Sequence, residues 1–209
     1  MTPGLSYRQR LVVMLKVPQA GRVKTRLGAD LGMTTSAWWF RHQSAALLRR
    51  LSDPRWELIL AVAPDRTGLM TPIWPAHLPR VAQGNGDLGT RMARLMYGLP
   101  KGPVCIIGAD IPGITPAHIA RAFAALGRDE AVFGPAPDGG FWLTGLKRSA
   151  PPPPGLFKNV RWSCEHALAD SRASLGGLRT TLIDTLQDID TAEDLHNLAH
   201  AAPAPVLSR

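Results

Sequence analysis

Six short apolar runs punctuate this chain, at 11–15, 57–62, 104–109, 131–133, 141–146 and 181–183. Each is too short for a buried helix and bounded by Gly, Pro or charge, so each reads as a buried strand. Helical patterns lie between them. Residues 37–51 carry Leu47, Leu48 and Leu51 on one side, and Met92, Leu95, Met96 and Leu99 share a helical face. Thr115-Pro116 is an N-cap with proline at the first helical position, and Gly127 is expected to close that helix. Ser163 is expected to cap a helix ending near Gly176, and Thr191 a last one carrying Leu195, Leu198, Ala199 and Ala202. Strands that alternate with helices predict an α/β sandwich with a mainly parallel sheet. In such sheets ligands bind beyond the carboxyl ends of the strands.

The chain of 209 residues suits one domain, 1–209, and its 45% hydrophobic content excludes wholesale disorder. The prolines at 151–154 read as a surface loop within that domain, and no internal repeat is visible. Two separated cysteines, Cys105 and Cys164, give neither a disulfide framework nor a zinc signature. The first apolar run is interrupted by Lys16, too early for a signal peptide, and no stretch approaches a membrane span. The expected setting is cytoplasmic, with no membrane partner.

The formal charge is +8, from 24 Lys+Arg against 16 Asp+Glu. Its distribution is uneven. Arg8, Arg10, Lys16, Arg22, Lys24 and Arg26 precede the first acid, Asp30, whereas Asp184, Asp188, Asp190, Glu193 and Asp194 crowd a stretch with no base. Basic residues are not interleaved with aromatics, which argues against nucleic acid and for a small anionic partner.

Five segments carry candidate chemistry. The loop after the first strand, with Lys16, Gly21, Arg22, Lys24 and Arg26, offers cations and backbone donors to a polyphosphate, without Walker spacing. Gly84, Gly86 and Gly89 match GxGxxG, which reads either as a dinucleotide fingerprint or as a glycine-rich turn into a helix. Asp110 directly follows a buried strand and can hold a divalent ion, or simply form a turn before Pro112-Gly113. Asp188 and Asp190, if extended, point the same way. One of them could complete a metal site with Asp110; a turn and a helix cap are the plainer roles. Asp138-Gly139-Gly140 favours a tight turn with close backbone approach. HExxH and GxSxG are absent. His196 and His200 share a helical spacing but read as a polar face, and Cys164 lacks an orienting group for a nucleophile.

In combination these motifs resemble DUF2064, a family of small GT-A-fold relatives of the nucleotide-diphospho-sugar transferases. The resemblance rests on Lys16-x-Pro18-x-x-Gly21-x-Val23-Lys24-Thr25-Arg26-Leu27, Gln83-Gly84-x-Gly86-Asp87-Leu88-Gly89-x-Arg91-Met92 and Gly108-x-Asp110-x-Pro112-Gly113. It continues through Gly134-Pro135-Ala136-x-Asp138-Gly139-Gly140-Phe141 and Asp188-Ile189-Asp190-Thr191-x-x-Asp194-Leu195. It implies a GT-A (Rossmann-like) three-layer α/β/α sandwich with a mainly parallel mixed sheet. It also implies a nucleotide-activated donor, with Mg²⁺ or Mn²⁺ held by Asp110 with help from Asp190 or Asp188. Some relatives are assigned as glycosyltransferases, in certain cases in arsenosugar synthesis. The first loop is also similar to those of nucleotidyltransferases, including phospholactate guanylyltransferases. Phe141-Trp142 departs from the tyrosines commoner there.

The expected activity is therefore glycosyl transfer from a nucleotide sugar to a small acceptor, with nucleotidyl transfer from an NTP to a phosphorylated acceptor as the alternative. A non-catalytic nucleotide- or RNA-binding module and an NAD-binding protein are more distant. Lys16, Gly21, Lys24, Arg26, Asp87 and Arg91 are the expected nucleotide and phosphate contacts. Asp138, Gly139 and Gly140 are expected at the sugar or acceptor. No residue identifies itself as a general base.

Overall fold

The computed structural model describes residues 7–191 and 193–196. The apolar runs become strands β1 (Arg10–Lys16), β2 (Glu57–Ala63), β4 (Val104–Gly108), β5 (Ala131–Pro135), β6 (Phe141–Leu146) and β7 (Thr180–Leu182), joined by the three-residue β3 (Arg80–Ala82). They form one sheet in the order β3-β2-β1-β4-β6-β5-β7. β1 pairs in parallel with both β2 and β4, and β2 with β3. β6 runs antiparallel between β4 and β5, and β7 is parallel to β5. Only β6 is reversed, so the sheet is mixed and mainly parallel.

Both faces of the sheet are buried, as near-continuous apolar strands require. Leu11, Val13, Leu15, Leu60, Val62, Cys105 and Ile107 face one layer with α2 (Met33–Arg50) and α5 (Pro116–Arg128). Val12, Ile59, Ala61, Val104, Ile106 and Phe133 face the other, with α4 (Leu88–Gly98) and α6 (Ala167–Ala173). Alternate residues of one strand thus enter opposite cores, which makes a three-layer α/β/α sandwich. Among the described residues no helix is long and apolar enough to cross a membrane.

Several boundaries differ from the sequence reading. α2 begins at Met33, four residues before the expected start, because Gly32 separates it from a short helix α1 (Thr25–Leu31) within the expected loop. Another short helix, α3 (Asp65–Met70), follows β2. Thr115 caps α5 in a reciprocal box with His118, but Gly127 lies inside the helix, which ends at Arg128. Ser163 is no cap: it has φ 59, and α6 starts after His166 and ends before Gly176. Phe40 joins the core, whereas Trp38 is 61% exposed and stacks on His42. Residues 193–196 are helical, and Leu198, Ala199, His200 and Ala202 lie outside the described residues.

Candidate functional site

Parallel strands end together, so the loops after β1, β4 and β3 meet at one edge of the sheet. A cavity of about 780 Å³ opens there. Lys16, Arg22, Lys24 and Arg26 line it from the β1 side, and Asp110, Asp188 and Asp190 from the other. Arg91, Asp138 and Gly140 complete the expected residues on its wall. Gly21, Asp87 and Gly139 are not among the lining residues. Arg8 and Arg10 sit at the opposite end of β1, paired with Glu57 at 3.9 and 3.2 Å, so the N-terminal charge divides between two ends of the strand.

The acids converge by main-chain design. Past β7 the chain continues beside β5, with Ile183 N–H donating to Phe133 O and Leu186 N–H to Pro135 O. Trp142 Nε1 donates to Asp184 O at 2.8 Å. Ile189 N–H then donates to Asp110 O at 3.2 Å, which joins the acidic segment to the loop after β4. That loop is itself held by Arg50, whose Nε and Nη2 donate to Ile114 O and Pro112 O at 2.7 and 2.8 Å. Ile189 is buried, so Asp188 and Asp190 on either side of it turn to the cavity. Asp110, Asp188 and Asp190 each present an oxygen, all within 4.8 Å of one another. Asp184 instead pairs with Arg121, and Asp194 caps the backbone at 190–191.

Lys24 stands in this cluster. Its backbone is left-handed (φ 46, ψ 50) at the start of α1, and its ammonium donates to Asp110 at 2.9 Å and to Asp190 at 2.6 Å. The side chain is 6% exposed. Burial alone would pull its pKa down, but the two carboxylates outweigh that and raise it. Burial, then the like charges of Asp190 and Asp110, push the Asp188 carboxyl up to about 6. Arg26, largely exposed, reaches Asp190 at 3.4 Å. Three converging carboxylates form a hard-oxygen donor set of the kind Mg²⁺ and Mn²⁺ take, and a cation already bridges two of them. The residues present therefore fit a divalent ion.

The glycine-rich segment serves as a turn into a helix. Gly84 and Gly86 have positive φ, and Asp87 caps α4 by accepting Thr90 N–H at 2.8 Å. A Cβ on Gly89 would lie 2.7 Å from the Trp162 ring and 2.8 Å from Phe157 O. Gln83 is buried and spans the sheet, its amide donating to Leu15 O and Ala61 O at 3.1 and 2.8 Å.

The sequence reading missed one wall of the cavity: Trp162, Ser163 and Cys164, beside Phe141 and Leu186. They come from the segment before α6. Asp170 accepts the N–H, Nε and Nη2 of Arg161 there, and Gly139 O accepts Leu168 N–H. Cys164 is exposed and its thiol donates to Arg161 O at 3.2 Å. Irregular backbone with Phe157, Asn159 and Ser163 at positive φ leaves no periodicity to read. One pair of aromatics, Phe157 and Trp162, is the available signal.

The comparisons agree with this architecture. The family model described as "Uncharacterized protein conserved in bacteria (DUF2064)" matches residues 46–164. No curated protein matches the chain. A crystal structure from Desulfovibrio desulfuricans G20, described as a candidate nucleotide-diphospho-sugar transferase, is 26% identical with a TM-score of 0.81, over 96% of this chain and 90% of that one. The Rv0371C protein of Mycobacterium tuberculosis H37Rv, in complex with manganese, is 16% identical with a TM-score of 0.52, over 94% of this chain and 100% of its own. The 4-diphosphocytidyl-2C-methyl-D-erythritol synthase of Anaerococcus prevotii DSM 20548 is 9% identical with a TM-score of 0.56, over 91% and 96%. The last two likenesses are of fold.

Proposed function

The chain belongs to the DUF2064 family of proteins conserved in bacteria, and on that footing we propose that it is a metal-dependent transferase that moves a glycosyl group from a nucleotide sugar to a small acceptor. The observation that carries this reading is a cationic loop facing three carboxylates across one cavity at the carboxyl edge of a parallel sheet. Such an edge suits a diphosphate bridged to protein through a divalent ion. The likeness to a candidate nucleotide-diphospho-sugar transferase supports the donor class.

Lys16, Arg26 and Arg91 would neutralise and orient the phosphates, with Gly21 giving the β1 loop its turn. Asp110, Asp188 and Asp190 would hold Mg²⁺ or Mn²⁺. The ion would supply Lewis-acid stabilisation of the charge that develops on the departing diphosphate. Asp87 shapes the nucleotide side by fixing the start of α4. Asp138 and Gly140, with Trp162 and Phe141, would position the acceptor and keep water from the reacting bond. The apolar wall fits a sugar-sized acceptor better than a second polyphosphate.

Calorimetry with a panel of nucleotides and nucleotide sugars, with and without Mn²⁺, tests the reading. Metal-dependent binding that Asp110→Ala abolishes is expected. Absence of any such binding, or indifference to Asp110→Ala, would sink it. A second reading, nucleotidyl transfer from an NTP, draws on the fold likeness to a diphosphocytidyl-methylerythritol synthase. Pyrophosphate release from an NTP in the presence of a phosphorylated acceptor would favour it instead.

A further inference from the structure

We propose that Lys24 is the resident cation of the carboxylate cluster, and that the donor's phosphates draw it away as the divalent ion enters, so that ion and donor bind as a coupled pair. The inference rests on the metal-dependent reading above and adds a coupling to it.

Three observations carry it. The ammonium bridges Asp110 and Asp190, two of the three carboxylates whose oxygens converge within 4.8 Å. A dication bonding to those same two carboxylates at about 2.1 Å would meet the ammonium head on. The Lys24 side chain is 6% exposed and its ammonium is spent on two carboxylates, so in this position its charge is not free for a phosphate. It is also the one cation of the loop so placed: Arg26 touches Asp190 at 3.4 Å from an exposed position. A lysine on a flexible four-carbon stem can exchange one anion for another, which a rigid guanidinium fork does less readily.

The chemistry then closes. Without ligand, Lys24 keeps half-buried like charges together. The ion replaces it on Asp110 and Asp190, and the freed ammonium gains a phosphate oxygen. Each ligand removes an obstacle to the other, so by linkage each tightens the other by the same factor. Free Mn²⁺ alone must displace Lys24 without compensation and binds weakly.

The test is titration of Mn²⁺ alone into wild type, Lys24→Met, Lys24→Gln and Arg26→Gln, reading free Mn²⁺ by electron paramagnetic resonance. Either Lys24 variant that folds is expected to bind Mn²⁺ about tenfold tighter than wild type, a typical coupling, and Arg26→Gln to change it much less. Inorganic pyrophosphate, with its own Mn²⁺ complex subtracted, is expected to tighten Mn²⁺ on wild type and to lose most of that effect on the Lys24 variants. Equal or weaker Mn²⁺ binding by the Lys24 variants overturns the inference and leaves the metal reading standing. An equal gain from Arg26→Gln also overturns it, since general electrostatics then suffices. No Mn²⁺ on any protein, with or without pyrophosphate, removes the metal reading and this inference together.

Discussion

The carboxylate of Asp194 accepts the backbone N–H of Asp190 at 3.0 Å. It also accepts Thr191 N–H and Oγ1, both at 2.8 Å, while Thr191 Oγ1 accepts Asp194 N–H at 3.2 Å. The two residues form a reciprocal cap that takes up the local backbone donors. Asp190 is thereby released from capping and keeps its carboxylate for the cavity. Asp194→Ala should cost about 1 kcal/mol of stability, the usual loss for a cap. It should also weaken Mn²⁺ by about tenfold, as removal of an orienting partner does. Urea unfolding and Mn²⁺ titration of the same variant check both; a stability loss with unchanged Mn²⁺ affinity would make Asp194 a cap and nothing more.

Asp188 belongs to the crowd of like charges around Lys24, whose ammonium pairs with Asp110 and Asp190 and leaves Asp188 beside them. Such a site trades stability for function. Asp188→Asn removes one of the repelling charges while keeping shape. Without metal, its melting temperature should rise by about 2–4 °C, the shift that about 1 kcal/mol gives a chain of this size. Added Mn²⁺ should raise the wild-type melting temperature and leave Asp188→Asn nearly unmoved. Thermal melts of both proteins, with and without Mn²⁺, decide it; a destabilised variant would show that the third carboxylate is a structural partner.

What the sequence made legible follows from how local each signal is. β1, β2 and β4 are continuous apolar runs because the sheet is covered on both faces, and Thr115-Pro116 carries its cap within four residues. α1 and α3 are too short to be stable by themselves. They exist through contacts distant in sequence or across a turn: Leu27 is fully buried, and Gly68 lies so close to Val62 that a Cβ would fall 2.6 Å from it. Strand-end placement and period two made Asp110 and one of Asp188 and Asp190 legible as neighbours; the convergence of all three needed the tertiary structure. Lys24 was legible as a site cation, but its carboxylate partners were not, since they lie 86 and 166 residues away. Net charge was the least informative signal. Arg80, Arg94 and Arg148 spend their guanidinium groups on loop carbonyls, among them Thr71 O, Gln83 O and Pro100 O. Arginines used as internal staples and arginines that greet a phosphate count alike in a composition.

Gly139 stands where a side chain has no room. It has φ +82, and a Cβ there would lie 2.3 to 2.6 Å from the Glu165 backbone. The turn at 138–140 and the segment carrying Trp162 to Cys164 therefore pack as one wall. Gly139→Ala should cost about 1–3 kcal/mol through backbone strain and push that segment outward. A lower urea midpoint together with a red-shifted tryptophan emission is the expected result. An unchanged midpoint would mean that the wall yields freely, and that the close approach does not hold it.

Arg161 and Asp170 fasten the same segment to α6. Three donors of Arg161 meet the Asp170 carboxylate, its N–H at 3.0 Å, Nε at 2.8 Å and Nη2 at 2.9 Å. The Arg161 side-chain bonds first, then its backbone N–H, hold the Asp170 carboxyl well below the usual carboxylate range. A folded-state pKa below the unfolded value of about 3.9 means that the unfolded chain takes up the proton first. The stabilisation is then fully present above that value and drains away as pH falls through the folded pKa. Asp170→Asn cannot titrate, so its deficit against wild type should be largest at neutral pH and shrink steadily below about pH 4. Urea midpoints of the two proteins along that pH series give the difference directly, with the titration of all other acids cancelling. A deficit that stays constant down to the lowest pH at which both fold would show that the pair acts through shape and hydrogen bonding alone, and not through charge.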